Sequence, residues 1–273
     1  MRAKRSLGQH FLKSERALNT IVEVGEITDD DTILEIGPGM GALTEKLLKF
    51  NAKIIAIEKD GRFFDFLKQK FEKEIWDNQL ELIHGDIMAI NNNLEAKLPS
   101  DRGYKIIANI PYNITGAILR KFLETRNQPE RMILLLQKEV VERIIAKNGK
   151  ESILSISVKA YGKPKYIETV KAGSFSPMPS VHSAIISIDN ISKDFFMPRM
   201  RRHCLRISEG SFFELVKAGF RSKRKKLSSN LSSLYNQTEV KEAFVKLNLN
   251  ENLRAEDTDI QTWQKLIREL KPR

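Results

Sequence analysis

Short apolar runs alternate with amphipathic stretches through the first two thirds of the chain. The apolar, β-branched runs occupy residues 32–36, 53–58, 80–84, 105–109 and 132–136. Between them, apolar residues recur at helical spacing, as in residues 41–50 and 62–75. This alternation predicts βαβ units, and the nearly continuous apolar strands predict a parallel sheet with helices on both faces.

The pattern changes on either side of these units. Residues 166–170 and 184–188 are two more predicted strands, which would complete a seven-stranded sheet, whereas residues 152–161 fit a strand or a helix equally well. Ahead of the sheet, Ser14 is a candidate N-cap for a helix that ends near residue 24. The basic residues 2–13 are therefore expected to form an arm before that helix.

Beyond residue 190 only helical patterns remain. They occupy residues 208–220, 223–235, 238–247 and 257–270. The expected fold is therefore α/β, with a Rossmann-like domain over residues 1–190 and a small all-helical domain over residues 191–273.

Composition narrows the class of protein. With 273 residues, of which 41% are apolar, the chain can bury a substantial core and is too apolar for intrinsic disorder. Its one cysteine, Cys204, cannot form an internal disulfide, and the first residues do not resemble a secretory signal, so a cytoplasmic protein is expected. Because no stretch is long and apolar enough for a membrane span, no membrane partner is expected.

Positive charge is concentrated near the end of the chain. The formal net charge is +11, and residues 191–273 hold 18 Lys and Arg against 10 Asp and Glu. Much of this excess falls within one short stretch, whose basic residues include Arg199, Arg201, Arg202, Arg206, Arg221, Lys223, Arg224, Lys225 and Lys226. Such clustering indicates a polyanionic partner, most simply nucleic acid.

A glycine-rich turn follows the first strand of the predicted sheet. Residues 35–42 read EIGPGMGA, and glycines there let a ligand approach the backbone at the start of the next helix. The spacing fits both the relaxed dinucleotide fingerprint and the turn of S-adenosylmethionine (SAM) methyltransferases. Glu58 ends the second strand, where a carboxylate can accept from ribose hydroxyls. Asp86 follows the third strand, where it could accept from an adenine amino group or cap a helix.

The most specific signal is the run NIPY at residues 109–112, at the end of the fourth strand. An aromatic amine such as adenine N6 is a poor nucleophile because its lone pair is delocalised into the ring. Acceptors directed at its two hydrogens favour the nucleophilic form, and the Asn109 side-chain oxygen and the Ile110 carbonyl could supply them. Pro111 would fix the backbone, and Tyr112 could stack on the base. No metal is required, and the four histidines lack metal-ligand spacing.

Several segments together resemble one family, the KsgA/RsmA-type ribosomal RNA adenine N6,N6-dimethyltransferases. They are QHFL at 9–12, EIGPGMG at 35–41, Glu58, GD at 85–86, NIPYNI at 109–114, FSPMPSVHS at 175–183 and FRSKRKKL at 220–227. The resemblance spans nearly the whole chain and implies a class I SAM-dependent methyltransferase fold. It implies dimethylation of two adjacent adenosines in the hairpin loop near the 3′ end of small-subunit (16S) ribosomal RNA, with a role in small-subunit biogenesis.

The resemblance also implies roles for individual residues. SAM would be bound by His10, Leu12, Gly37, Glu58, Asp86 and Asn109. The target adenine would lie between Tyr112 and Phe175 beside Asn109, and these three would form the catalytic set. The partner would be small-subunit ribosomal RNA or an immature small subunit, bound by a monomer without a metal. The RNA-binding residues would be Arg221, Lys223, Arg224, Lys225 and Lys226.

Other functions stay open. Ile110 stands where the small-subunit enzymes more often have leucine, and isoleucine is common there in the erythromycin-resistance methyltransferases, which modify large-subunit RNA. The segments 113–114 and 175–183 are closer to the small-subunit branch. A non-catalytic assembly or transcription factor on the same fold is a further alternative, although it would have no physical need to keep the glycines, Glu58, Asp86 and Asn109. A DNA adenine methyltransferase is disfavoured, because its motif usually begins with Asp.

Overall fold

The computed structural model describes residues 9–90, 94, 96–99, 103–197 and 207–270. Its strands are β1 (Phe11–Leu12), β2 (Thr32–Ile36), β3 (Lys53–Glu58), β4 (Leu80–His84), β5 (Lys105–Asn109), β6 (Arg131–Gln137), β7 (Lys163–Val170), β8 (Phe175–Ser176) and β9 (Ser183–Asp189). Its helices are α1 (Glu15–Gly25), α2 (Ala42–Leu47), α3 (Gly61–Lys70), α4 (Glu72–Trp76), α5 (Thr115–Glu124), α6 (Lys138–Ile145), α7 (Ile153–Lys159), α8 (Glu209–Gly219), α9 (Leu227–Leu231), α10 (Gln237–Lys246) and α11 (Ile260–Glu269).

Seven strands form one sheet in the order β4-β3-β2-β5-β6-β9-β7. The five strands from β4 to β6 in this order run parallel, and β9 and β7 run antiparallel to their neighbours. From β2 the chain continues to β3 on one side and later to β5 on the other. The carboxyl ends of β2, β3 and β5 therefore meet at a switch point, which is where open α/β sheets bind ligands. The predicted seven-stranded, mostly parallel sheet is confirmed.

The strands follow the apolar runs closely. Strands β2 to β5 have the predicted bounds, while β6, β7 and β9 are two or three residues longer than predicted. The ambiguous residues 152–161 contain α7, and a capping box explains the choice of helix. The Ser152 hydroxyl accepts from the Ser155 N–H at 3.1 Å, and the Ser155 hydroxyl accepts from the Ser152 N–H at 2.7 Å. Two backbone N–H groups at the start of α7 are thereby hydrogen-bonded to side chains of the helix's own sequence.

The glycine turn after β2 is shaped by the helices below it. The predicted helix 62–75 is interrupted, because Phe71 leaves helical geometry (φ −114°, ψ 32°) between α3 and α4 and its ring is buried. A Cβ on Gly41 would lie 2.6 Å from this ring, and Gly41 has a φ of +77°. Only glycine meets both requirements, so the turn is held tightly against Phe71.

Helix α1 begins at the predicted cap. The Ser14 hydroxyl accepts from the Ala17 N–H at 3.3 Å. The buried face of α1, which includes Leu18 and Ile21, joins the hydrophobic core beside the sheet. The short strand β1 just before it pairs with β8, with Leu12 opposite Phe175. This pairing fixes the chain that enters α1 beside the carboxyl edge of the sheet.

The chain divides into two compact units. One extends to Val141 and also contains Lys163–Ile191, and the other contains Glu142–Gly162 and the chain from Ser192 onward. The sequence assigned residues 142–162 to the first domain, but in the structure they group with the C-terminal helices. Backbone pairing explains this difference, since the Glu151 N–H donates to the Glu256 carbonyl at 2.7 Å.

The second unit has its own aromatic and apolar core. Phe196, Phe212 and Trp263 are fully buried in it. The predicted helix 223–235 is much shorter here, because α9 begins only at Leu227. The buried Asn230 side chain donates to the carbonyls of Gly219 at 2.7 Å and Ser222 at 3.0 Å. These bonds hold residues 221–226 as a loop between α8 and α9.

Candidate functional site

A cavity of about 1030 Å³ lies at the carboxyl edge of the sheet. Its walls come from the ends of β2, β3 and β5, the residues after β4, and the arm around β1. It is large enough for a cofactor together with part of a second ligand, because single-ligand pockets commonly measure roughly 300–1,000 Å³. The residues predicted to bind SAM all line it: His10, Leu12, Gly37, Glu58, Asp86 and Asn109. Tyr112 lines it as well.

The glycine turn presents bare backbone to the cavity. Gly37 has a φ of +68°, and its N–H donates to the Ile57 carbonyl at 2.9 Å. A Cβ on Gly37 would meet nothing closer than the Pro111 ring at 4.0 Å. The cavity is therefore open beside Gly37, and any larger side chain at this position would occupy part of that space.

Glu58 is fixed at the end of β3 by two backbone donors. Its Oε2 accepts from the Gly39 N–H at 2.9 Å, and its Oε1 accepts from the Asp60 N–H at 2.8 Å. Burial raises the pKa of Glu58, and the N–H groups of Asp60 and Gly39 partly offset that rise. A carboxylate has about four acceptor positions, so Glu58 keeps acceptor capacity for the hydroxyls of a ribose.

A second acid, Glu35, has a different role. Its side chain is buried at the end of β2, and the Thr44 hydroxyl donates to its Oε2 at 2.7 Å. Burial raises the pKa of Glu35 to about 8, and the Thr44 hydroxyl opposes that rise. Glu35 is therefore largely neutral near pH 7, and it joins the strand before the glycine turn to the helix after it.

Asp86 both caps a turn and faces the cavity. Its Oδ1 accepts from the Met88 N–H at 2.9 Å, which is the capping role considered from the sequence. Its Oδ2 forms an ion pair with the Lys59 ammonium at 2.7 Å. The hydrogen bond from Lys59, followed by that from Met88, lowers the pKa of Asp86, so the group is ionised.

The Asn109 side chain is oriented by the arm. Its Nδ2 donates to the His10 carbonyl at 3.2 Å, and because only the nitrogen can donate, the amide orientation is defined. Within the described part of the chain, no donor is paired with the Asn109 oxygen. That oxygen is available as an acceptor at the cavity, as the sequence hypothesis requires.

Tyr112 is held from two sides. Its hydroxyl is hydrogen-bonded to the Ser183 hydroxyl at 2.7 Å, and its ring stacks against the His10 ring with centroids 5.8 Å apart. The His10 Nδ1 in turn lies 2.8 Å from the Pro177 carbonyl oxygen, so Nδ1 is the donor. His10 thus positions both Tyr112 and Asn109, which is a more specific role than the general cofactor contact predicted.

Phe175 is not brought into the cavity. Only 4% of it is exposed, and it belongs to the core cluster together with Leu12, Val170 and Ile185. The described residues that line the cavity include Ser176 and Pro177, which follow it, but not Phe175 itself. Phe175 therefore does not line the cavity in this structure, because the pairing of β1 with β8 places it among core residues. Its stacking on the target base opposite Tyr112 stays a prediction.

The five predicted RNA-binding residues lie on the loop between α8 and α9, here called the basic loop (residues 221–226). Arg221, Lys223, Arg224, Lys225 and Lys226 are all exposed. Asn230 ties the backbone of this loop from below, as described above. The loop therefore presents five cations from a fixed backbone. Arg199, Arg201, Arg202 and Arg206 lie outside the described residues.

Sequence reasoning missed three contributors to the site. Lys59 directly follows Glu58 at the end of β3. A basic residue there could have been recognised as a neighbour of both the Glu58 and the Asp86 carboxylates. Ser183 lies within the FSPMPSVHS segment but was given no role. Gln9, whose amide donates to Asp60 at 3.3 Å, joins the arm to the end of β3. Each of these contacts joins parts of the chain that are distant in sequence, and only the fold brings them together.

No metal site or membrane span is found among the residues that the structure describes. They contain no group of three His, Cys, Asp or Glu side chains that could hold a metal ion. Across the same residues, every helix is too short or too polar to cross a bilayer.

Residues 1–271 match the model of a family described as ribosomal RNA adenine dimethylase. A relative from Dehalococcoides mccartyi (strain CBDB1), named ribosomal RNA small subunit methyltransferase A, is 39% identical over 98% of this chain and 89% of its own length. A relative of the same name from Fusobacterium nucleatum is 38% identical over 97% of this chain and 96% of its own.

Two solved structures share the fold. A dimethyladenosine transferase from Plasmodium falciparum is 26% identical, with a TM-score of 0.77, over 94% of this chain and 96% of its own. The 23S rRNA methyltransferase ErmE has a TM-score of 0.73 at 22% identity, over 95% of this chain and 99% of its own, so its likeness concerns the fold alone.

Proposed function

This chain belongs to the ribosomal RNA adenine dimethylase family, and from that membership we propose its reaction. The protein uses SAM to dimethylate N6 of two adjacent adenosines in the hairpin loop near the 3′ end of small-subunit ribosomal RNA. We also propose that it acts in the cytoplasm, as a monomer, during maturation of the small subunit. The relatives named small subunit methyltransferase A support the choice of subunit.

The observation that carries the proposed chemistry is the fixed amide of Asn109. Because the His10 carbonyl occupies the amide nitrogen, the amide oxygen is left to accept from an exocyclic amine. A neutral acceptor suffices for adenine N6, since it draws the amine toward its nucleophilic form and the proton can leave after methyl transfer. Tyr112, held by His10 and Ser183, offers a face on which the target base can stack.

The residues at the glycine turn suit SAM. Gly37 leaves open space for a ligand beside the backbone, and Glu58 retains acceptor positions for ribose hydroxyls. Asp86, ionised at the end of the neighbouring strand, can accept from an adenine amino group. Bound SAM supplies a methyl group activated by its sulfonium. The chain itself has to bind and orient the two reactants and exclude water between them.

The basic loop supplies the proposed grip on RNA. Five exposed cations on a fixed backbone are suited to phosphates, which give affinity without sequence selection. The choice of adenosine then falls to the cavity, which accepts an unstacked base. Binding of RNA is expected to weaken steeply as salt concentration rises.

The test is transfer of labelled methyl groups from SAM to small ribosomal subunits that lack the modification, with large subunits in parallel, followed by nucleoside analysis. N6,N6-dimethyladenosine in small-subunit RNA alone would support the proposal. Label in large-subunit RNA would replace it with the resistance-type reaction. If the protein binds S-adenosylhomocysteine (SAH) but labels neither subunit, a non-catalytic assembly role would be favoured.

A further inference from the structure

Three hydrogen-bond donors surround a short turn at the carboxyl edge of the sheet. The turn, Ala172–Ser174, lies just after β7, and Lys171 directly precedes it. The Lys13 N–H donates to the carbonyl of its last residue at 2.8 Å, and the N–H of its first residue donates to His182 Nδ1 at 3.1 Å. The turn therefore joins three side chains from separate parts of the chain, here called the donor rim: Lys13, Lys171 and His182.

The donor rim lies next to the face proposed for the target base. Strand β7 ends and strand β9 begins at the carboxyl edge, where Val170 is paired with Ser183. His182 directly precedes Ser183, whose hydroxyl is hydrogen-bonded to that of Tyr112 at 2.7 Å. Lys13 itself lines the cavity. All these residues belong to one compact unit, whereas the basic loop belongs to the other.

Each side chain of the donor rim keeps a donor that a ligand can use. All three are exposed, and among the residues that the structure describes no carboxylate is paired with the ammonium of Lys13 or Lys171. The acids closest to them in sequence, Glu15 and Glu168, form ion pairs with other residues. Because a backbone N–H can only donate, His182 Nδ1 is an acceptor, and the neutral ring carries its hydrogen on Nε2. The rim thus offers two cations and one ring N–H.

An RNA backbone supplies the matching acceptors. A base that enters the cavity leaves its flanking phosphates at the mouth, because burying the charged backbone would be costly. Each phosphodiester carries one negative charge and non-bridging oxygens that accept from ammonium and N–H groups. The donor rim presents such groups beside the residues that hold Tyr112.

We propose that the donor rim binds the RNA phosphates that flank the target adenosine. This inference rests on the proposed function, because it requires the adenosine to enter the cavity. Lys13 and Lys171 neutralise phosphate charge, and His182 donates a hydrogen bond from Nε2. The rim fixes the position of the backbone next to the reacting base, and the cavity selects the base itself.

The test measures methyl transfer to small subunits that lack the modification, at a series of salt concentrations. The double variant Lys13→Gln/Lys171→Gln removes two charges and keeps the backbone bonds of the turn. The slope of log KM against log salt concentration is expected to decrease by about 1.4, which is about 0.7 for each phosphate contact with a single strand. At about 0.1 M salt, KM is expected to rise roughly twentyfold, while kcat changes less than about twofold.

His182→Asn tests the third donor. The asparagine oxygen can still accept from the Ala172 N–H, but the shorter side chain lacks the Nε2 donor. KM is expected to rise about threefold without a change in salt slope, because a neutral hydrogen bond is lost and not a charge. An unchanged KM would remove His182 from the donor rim.

Lys53→Gln/Lys163→Gln is the matched control. Lys53 begins β3 and Lys163 begins β7, so both are exposed lysines at the amino edge of the same sheet, and neither lines the cavity. The control loses the same charge as the double variant. Its KM and salt slope are expected to stay close to those of the wild type, which separates the effect of position from that of net charge. Thermal unfolding of each variant verifies that the fold is kept.

The outcomes distinguish the two levels of the argument. If the wild type labels small subunits and Lys13→Gln/Lys171→Gln keeps the wild-type salt slope, the donor rim is refuted while the proposed function stands. An equal decrease in the control refutes it too, because the position of the charges would then not matter. If the wild type labels neither subunit, both the proposed function and the donor rim fall.

Discussion

The two edges of the seven-stranded sheet carry similar polar residues but use them differently. At the amino edge, buried Lys105 donates from Nζ to the Glu26 carbonyl and to Asp31 Oδ2, both at 2.8 Å. At the carboxyl edge, Asn109 and Glu58 make one or two bonds to the protein and retain acceptor positions toward a cavity. The polar groups at the amino edge are paired with the protein itself, whereas those at the carboxyl edge keep acceptor positions that a ligand can use.

A second network at the amino edge makes the same point. Arg131 forms ion pairs with Asp189 at 3.0 Å and with Glu26 at 2.8 Å, and Lys165 reaches Asp189 at 3.0 Å. Burial opposes ionisation of Asp189, but Ser187, Lys165 and Arg131 together hold its pKa below the usual range. These charges join β6, β7 and β9 to the end of α1. Their contribution is to stability rather than to binding.

This difference indicates which substitutions separate folding from function. Changes at the carboxyl edge should alter chemistry with little loss of stability, because the groups there are not fully used by the fold. Changes at the amino edge should lower stability with little effect on the chemistry. Substitutions at the two edges test this contrast.

The largest expected effect is that of Asn109→Ala. It removes the acceptor proposed for the target amine, so the single-turnover rate of methyl transfer should fall at least about a thousandfold. SAH and RNA binding should persist, and the free energy of unfolding should change by less than about 1 kcal/mol. Rapid-quench assays and urea denaturation measure the two quantities. A rate within tenfold of the wild type would remove Asn109 from the mechanism.

Lys105→Met is the counterpart at the amino edge. Methionine has a similar length but leaves the Asp31 carboxylate without its closest cation, and breaking such a buried pair should lower the free energy of unfolding by about 3–4 kcal/mol. The methyl-transfer rate of the folded fraction should stay unchanged. Urea denaturation and the single-turnover assay apply again. Loss of rate without loss of stability would show that the two edges are not independent.

The sequence predicted one edge better than the other. The glycine turn, Glu58 and Asn109 could be placed at the carboxyl edge because each directly follows or ends an apolar run. Parallel strands have their carboxyl ends at the same edge of the sheet, so these residues were expected to lie together. Lys105 and Arg131 gave no comparable signal, since their partners are 74 and 58 residues away along the chain. The burial of Phe175 gave no signal either, because its surroundings depend on the distant pairing with β1.

Glu35→Gln tests a carboxyl-edge group that the fold does use. Burial raises the pKa of Glu35 in the folded protein to about 8, above its ordinary value of 4.5. The stability that the neutral acid contributes is therefore fully present below pH 4.5 and is lost as pH rises through 8. Glutamine stays neutral and can still accept from Thr44. Between pH 5.5 and 8.5 the wild type should lose about 2–3 kcal/mol of stability relative to the variant. Denaturant titrations at the two pH values provide the comparison, and parallel curves would contradict the assignment.

The smallest expected effect concerns Ser183, which is fully buried and acts on the site only through Tyr112. Ser183→Ala should lower kcat about fivefold, the equivalent of one hydrogen bond of about 1 kcal/mol, and leave the KM for RNA unchanged. Tyr112→Phe removes the other half of the same bond and keeps the stacking face. If Ser183 only positions Tyr112, the double variant should be no slower than either single variant. Additive losses would instead mean that Ser183 contributes to the reaction separately, and the carboxyl edge would then extend to the antiparallel strand β9.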